Sequence, residues 1–201
     1  MHEASVEHLT RDKHLGAFVR GYGPLKFRRE HTQEPFQALC ESIVYQQISG
    51  IAAASILKKF RVLWPKKKFP TPEDVLKIKI KKLRATGISP QKALYLKDLA
   101  AKFKDGSVNP KLFHRMSDVE IIEHVVVVKG IGEWTGQMFL MFTLHRPDVL
   151  PTGDLGIQKG FKKLFNLKNL PTPAKMQRLS KNWAGHRTTA CFYLWRLLDE
   201  K

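Results

Sequence analysis

From Phe36 onward apolar residues recur at three- and four-residue intervals, first as Phe36, Leu39, Cys40, Ile43 and Val44. That spacing puts them on one face of a helix, and Pro35 suits its first turn. Ser49-Gly50 interrupts the pattern, which resumes at Ala52, Ala53, Ile56, Leu57 and Phe60. Thr71-Pro72-Glu73-Asp74 combines a capping residue, a first-turn proline and first-turn acids, which predicts another helix start. Gly87-Ile88-Ser89-Pro90 ends one helix and opens the next, whose inner face is Ala93, Leu96, Ala100 and Phe103. Ser117-Asp118-Val119-Glu120 fits a capping box. Val125 to Val128 is the one β-like run. Lying just downstream of that box, it reads as the buried end of a helix, although periodicity alone does not separate the two. Helical spacing continues over Glu133 to Thr143, Asp154 to Phe165, Pro173 to Trp183 and Arg187 to Leu198.

The expected fold is therefore all-α. There is no fixed-period repeat and no linker-like stretch, so one domain with two lobes is expected. One lobe would run over residues 34–145, and the other would combine 1–33 with 146–201, leaving a cleft between them. The 201 residues suffice for this but not for two large domains. With 43% hydrophobic and 26% charged residues, wholesale disorder is not expected. The mean hydropathy of -0.30 and the lack of a long uncharged apolar run argue against a membrane span, and no secretory signal is read at the N-terminus. Cys40 and Cys191 are too few for a four-thiolate cluster, and both sit in apolar helical patterns, as expected in a reducing compartment.

Charge changes the picture. Lys+Arg 35 against Asp+Glu 18 leaves +17, which favours a polyanionic partner. Between Lys58 and Arg84 eleven basic residues face only Glu73 and Asp74. Such a run is either a solvated surface or a phosphate-tracking face.

The stretch most suggestive of chemistry is Val128-Lys129-Gly130-Ile131-Gly132-Glu133-Trp134-Thr135, followed by Pro151-Thr152-Gly153-Asp154-Leu155-Gly156-Ile157. A Gly-x-Gly turn between helices lets bare backbone approach a ligand, and the next helix presents its amides and positive dipole end to a phosphate. An ordinary tight turn would read the same in isolation. Here an aromatic helix start follows directly, and an acidic helix start lies about twenty residues on.

These segments, with Ser42 to Ser49, Gly87 to Ala93 and Arg187 to Trp195, resemble the helix-hairpin-helix DNA glycosylase superfamily. The resemblance is to its alkylated-base branch, which includes bacterial 3-methyladenine DNA glycosylase II and the yeast 3-methyladenine glycosylases. It covers about Phe36 to Leu198 and implies the compact all-helical form, acting as a monomer on double-stranded DNA that carries alkylated bases.

By the resemblance, Asp154 is the catalytic carboxylate, at the mouth of the inter-lobe cleft. Breaking a deoxyribosyl–base bond builds an oxocarbenium-like sugar, which a carboxylate can stabilise while it orients a water. A plain helix N-cap is the other reading of this residue. Relatives with lyase activity carry a lysine after the position of Glu133; Trp134 stands there, which implies a monofunctional enzyme. Trp134, Met138, Trp195 and Tyr45 are expected to line the pocket for a flipped base, where aromatic faces would favour a cationic alkylpurine. Trp195 reads equally well as core.

The resemblance places Gln47 in the gap left by the flipped nucleotide. It assigns the turn from Gly87 through Ser89 to Lys92 to the DNA backbone, through the amides of Ser89 and its neighbours with Lys92 adding charge, although an ordinary capped helix start reads equally well. Gly130, Ile131, Gly132 and Thr135 are assigned there too. Arg187 is assigned to DNA as well, although an ion pair to an acidic residue would explain it equally. No cofactor is expected to be required and no iron–sulfur cluster is expected. A structural Na+ or K+ held by the main-chain oxygens of Val126, Val128 and Ile131 is implied by the family alone. The expected compartment is a bacterial or archaeal cytoplasm or a eukaryotic nucleus, not an exterior. Two alternatives stand beside this reading. One is a mismatch uracil or adenine glycosylase of the same superfamily, which product analysis would separate; the other is a non-enzymatic hairpin module, in which the pocket beside Asp154 would be filled.

Overall fold

The computed structural model describes residues 2–25 and 34–199, and every regular element among them is helical. In chain order the helices are α1 (His2–Thr10), α2 (Gly16–Tyr22), α3 (Pro35–Tyr45), α4 (Gly50–Val62), α5 (Pro72–Lys77), α6 (Ile80–Ala85), α7 (Pro90–Asp105), α8 (Asp118–Val126), α9 (Glu133–Phe142), α10 (Leu155–Leu164), α11 (Pro173–Leu179) and α12 (Arg187–Asp199), with 3-10 turns at Pro110–Arg115 and Lys181–Trp183. No described helix is long and apolar enough to cross a membrane. The all-α expectation is borne out. The described residues form two compact units, 34–139 and 2–25 with 140–199. Residues 26–33, assigned to the second lobe from sequence, lie outside the described residues.

In the 34–139 unit the longest helix, α7, is the organising element and packs against α3, α5 and α6. Its buried stripe is Ala93, Leu96, Leu99 and Ala100, and α3 faces the interior with Phe36, Leu39 and Ile43. Phe36 and Phe103 meet edge to face at 5.1 Å. The capping signals act as their sequences dictate. Thr71 with Asp74 and Ser117 with Glu120 form reciprocal boxes, and Ser49 and Ser89 cap α4 and α7 through their hydroxyls. The valine run is corrected in part: α8 ends at Val126, and only Val125 and Val128 are buried, while Val126 and Val127 face solvent. Residues three apart share a helical face, so a uniformly apolar run still has an outside.

In the other unit α10 packs along α12, and α1 and α2 lie against α12. Thr188 at the start of α12 holds the approach to α10: its hydroxyl donates to the Arg146 carbonyl at 2.6 Å and accepts from the Val149 amide at 3.0 Å. His8 stacks on His186 at 4.3 Å, and His186 Nδ1 lies 2.9 Å from Ser5 Oγ, which fastens α1. Burial pulls His186 below the usual histidine value, with His8 adding to the effect.

Gly156 and Gly160 stand one helical turn apart on the face of α10 that meets α12. A Cβ on Gly160 would lie 2.8 Å from Leu194 Cβ, and one on Gly156 would lie 2.8 Å from Trp195 Nε1. Both contacts are too short for a real side chain, so α10 approaches α12 this closely only because glycine is there. Gly160→Ala should therefore lower unfolding free energy by about 1–3 kcal/mol, the usual cost of overpacking, against the gain alanine normally brings to a helix interior. Urea denaturation checks this; a stabilised variant would mean that the two helices have room to spare.

Candidate active site

Asp154 is the N-cap of α10. Its Oδ1 accepts from the Ile157 amide at 2.8 Å and from Trp195 Nε1 at 3.0 Å. The turn before it is held as well, with the Asp154 amide donating to the Pro151 carbonyl at 3.0 Å and Gln158 Nε2 to the Thr152 carbonyl at 2.8 Å. The carboxylate is half-buried and fixed in direction, with the cap bond and the indole bond falling on the same oxygen. Trp195 is also half-buried, with its ring stacked on Phe142 at 6.0 Å and tilted against Phe192 at 5.9 Å. These aromatics, with Tyr22, Pro24 and Arg196, line an open cavity of about 560 Å³. Trp195 is thus neither plain core nor a simple pocket wall, since its N–H anchors Asp154. Cys191 and Cys40 are fully buried, and burial pushes both thiols well above their usual value, so neither supplies a nucleophile.

The 34–139 unit carries the hairpin. α8 gives way to Gly130 at φ 84, where the Tyr95 ring occupies the space a side chain would need. The Lys129 amide donates to Asp98 Oδ2 at 2.8 Å, Ile131 is buried with its amide on the Val128 carbonyl, and the Gly132 carbonyl receives the Gly136 amide as α9 begins. Trp134 follows, half of its surface exposed. Trp134 and Met138 share a cavity of about 690 Å³ with Tyr45, as their spacing suggested; Ser42, Gln46, Gln91 and Tyr95 also line it. Those four were not singled out from sequence. Their positions on α3 and α7 became informative only once the helices were packed. Thr135 is largely buried and lines the same cavity.

Gln47 is exposed at φ 56, a left-handed conformation that costs a non-glycine residue on the order of 1–2 kcal/mol. Strain of this kind persists only where neighbours enforce it. Gln46 Nε2 donates to the Gly130 carbonyl at 2.8 Å, tying this loop to the hairpin. The role assigned to Lys92 needs correction. Its ammonium turns inward, donating to the carbonyls of Val44 at 2.8 Å and Gln46 at 2.6 Å, and burial pulls it below the usual lysine value. Ser89 Oγ accepts from the Lys92 amide as a helix cap, which leaves the expectation for the Ser89 backbone amide untouched. Gly87, at φ 99, makes the turn before it. Arg187 pairs with Asp148 at 3.0 Å, which is the ion pair named as its other reading.

Val126 and Val128 stand at the C-terminal end of α8, where helix carbonyls lack intrahelical donors and the dipole end is negative. The Val128 carbonyl already accepts from Ile131, but a carbonyl oxygen keeps a second lone pair. With Ile131 this neutral oxygen set fits a hard monovalent cation. Among the described residues no group of three or more His, Cys, Asp or Glu is placed to hold a metal ion.

Comparison with known proteins agrees with this architecture. Residues 40–185 match the model of the HhH-GPD superfamily base excision DNA repair protein. The DNA-3-methyladenine glycosylase 1 of Schizosaccharomyces pombe is 35% identical over 185 residues, covering 92% of this chain and 80% of that protein. The solved structure of the S. pombe 3-methyladenine DNA glycosylase in complex with abasic DNA superposes with a TM-score of 0.83 at 33% identity, over 96% of this chain and 95% of that one. A DNA-3-methyladenine glycosidase from Bacillus halodurans superposes with a TM-score of 0.86 at 31% identity, over 98% and 91%. The hairpin, the capped aspartate and these matches agree: the chain belongs to the HhH-GPD superfamily of base excision DNA repair proteins.

Proposed function

We propose that the chain is a monofunctional DNA glycosylase that removes alkylated purines, such as 3-methyladenine and 7-methylguanine, from duplex DNA. The observation that carries this reading is the Asp154 carboxylate, fixed by the Ile157 amide and by Trp195, whose ring lines an open aromatic cavity. A non-enzymatic hairpin module would need neither the orienting indole nor the opening. The names of the relatives point to the same substrate class.

In this mechanism the hairpin amides of Gly130 and Gly132 take a backbone phosphate, the Ile131 amide being committed to the Val128 carbonyl, and Gln47 fills the gap in the stack while the target nucleotide turns out. Trp134, with Tyr45 and Met138, offers apolar and aromatic surface to the base. The C1′–N bond breaks with its electron pair leaving to the base, which discharges the positive charge that alkylation placed there. Asp154 stabilises the sugar cation, and a water oxygen that it orients bonds to C1′ while the water's proton passes to the Asp154 carboxylate. No second carboxylate is required, because the leaving group departs neutral. Trp134 has no amine to form a Schiff base, so the product is an intact abasic site. The carbonyls of Val126, Val128 and Ile131 would hold a monovalent cation, which supplies positive charge near the bound phosphate.

Duplexes carrying single defined lesions, treated with the protein and then with alkali, test the reading; absence of cleavage at every alkylated base sinks it. Asp154→Asn keeps the cap and removes the charge, so excision should fall by a factor of about 10²–10³ while affinity for undamaged duplex stays within about twofold. Near-parental excision would remove Asp154 from the mechanism.

Trp195→Phe preserves ring stacking and deletes only the N–H. Loss of one charge-assisted hydrogen bond of about 1.5 kcal/mol should slow single-turnover excision roughly tenfold without changing DNA affinity. An unchanged rate would reduce Trp195 to packing.

Cationic 3-methyladenine should be excised in preference to neutral hypoxanthine or uracil, and Trp134→Leu should narrow that preference by about tenfold through loss of the ring quadrupole. If both lesion classes slow by the same factor, recognition does not rest on charge.

A further inference from the structure

α7 carries two part-buried lysines whose ammonium groups are committed to carbonyls, and they do the same thing at two places. Lys97 Nζ donates to the carbonyls of Leu76, at 2.6 Å, and Ile78, closing the C-terminus of α5. Lys92 Nζ donates to the carbonyls of Val44 and Gln46, closing the C-terminus of α3. A cation at a helix C-terminus satisfies orphan carbonyls and complements the dipole. Burial pulls both ammonium groups below the usual lysine value. The two helices differ in the segment beyond the closed end. After α5 comes a short link to α6; after α3 comes Gln47, exposed and held left-handed at φ 56.

We propose that Lys92 is a positioning residue whose ammonium sets the Gln46–Gln47 loop so that Gln47 is presented to the DNA gap. This rests on the proposed nucleotide-flipping reading of the site. The bonds form a closed circuit. Ser89 Oγ caps the Lys92 amide, the Lys92 ammonium holds the Gln46 carbonyl, and Gln46 Nε2 holds the Gly130 carbonyl. Gly130 in turn sits against the ring of Tyr95, one turn along α7 from Lys92. Gln47 is therefore flanked by a residue whose carbonyl and side chain are both tied. A left-handed glutamine relaxes to an ordinary backbone region once such ties are cut, and its side chain then swings away. Met in place of Lys92 keeps length and fills the same space, but leaves both carbonyls without their shared donor.

The experiment is a double-mutant cycle read as the ratio of affinities for a duplex containing a tetrahydrofuran abasic analogue and for the same duplex intact. Single-turnover excision of 3-methyladenine is measured alongside. Lys92→Met and Gln47→Ala should each lower the affinity ratio about tenfold, and the double variant should lose no more than either alone, since residues acting through one another do not add. Lys97→Met cuts the equivalent tie away from Gln47. It should lower Tm comparably and leave the ratio at the parental value. Lys92→Arg, which keeps the charge and the donors, should recover most of the ratio.

If Lys92→Met does not fold, Lys92→Gln replaces it in the cycle, with a smaller loss expected because one donor group remains. Multiplicative losses in the double variant, or the same loss from Lys97→Met, would overturn the proposal. So would an unaffected ratio in Lys92→Met while Gln47→Ala lowers it, and that outcome leaves the flipping reading intact. No effect of Gln47→Ala would remove the gap-filling role itself, and the proposal with it. Failure of the glycosylase reading appears separately, as lack of excision by the parent whatever the affinity ratio.

Discussion

Short helices leave many ends, and every end leaves backbone groups without intrahelical partners. Most helices of this chain run 6 to 13 residues, so much of its polar bookkeeping is done at termini. The way each terminus is closed decides what it can do. Where a side chain closes the N-terminus from within, as Thr71 and Ser117 do with reciprocal partners, the end is structural and complete. Asp154 closes α10 with one carboxylate oxygen, and the same oxygen takes the indole N–H, so a capping group becomes an oriented one. At the hairpin no capping side chain precedes α9. Gly130, Ile131 and Gly132 instead bring bare backbone up to the helix start, which is what an anion needs.

Glycine matters here through what it lets approach. Gly156 and Gly160 admit α12 to within a distance that no side chain would tolerate, and this brings the Trp195 indole onto Asp154. Gly130 admits the ring of Tyr95 in the same way, which fixes the hairpin to α7. In each unit a glycine admits an aromatic residue of a neighbouring helix, which brings Trp195 onto the Asp154 carboxylate in one and Tyr95 against the Gly130 backbone in the other. The packing that stabilises the fold and the geometry that orients the site are thus the same contacts, and an alanine at either place would disturb both.

Much of this was legible in the sequence, and the gaps have physical causes. The amphipathic stripes of α3 and α7, the helical span of α10 and the caps at Thr71, Ser89 and Ser117 are local signals, and they read correctly, while the uniformly apolar end of α8 hid where the helix stops. α1 and α2 were missed because α1 buries little beyond Ser5 and Leu9 and α2 carries two glycines, so neither shows a clear stripe. Trp134 and Met138 could be grouped because they lie one helical turn apart, whereas Tyr45, on α3, joined them only through the resemblance. The bond from Trp195 to Asp154 was not legible as such, although glycines at 156 and 160 were a usable sign of close helix contact. Lys92 misled for a simpler reason. A lysine beside a phosphate-like turn is read as surface charge by default, and only the packing of α7 against α3 shows its ammonium committed to carbonyls.

The charge of the chain bears on selectivity in a way that composition alone conceals. A surplus of +17 attracts a polyanion, yet under the proposed function the group to be selected is itself a cation. The long-range field cannot do that selecting, because it acts on thousands of phosphates before it meets one damaged base. It also falls away within a Debye length of about 8–10 Å at physiological salt. Discrimination must therefore come from contacts shorter than that length: the face of Trp134, the cavity around it, and a carboxylate fixed in direction. A second acid that protonated the leaving base would let neutral bases depart as readily as charged ones. If the reaction relies on Asp154 alone, as proposed, the alkyl group's own positive charge becomes a condition of reaction, and chemistry adds to the discrimination that binding begins.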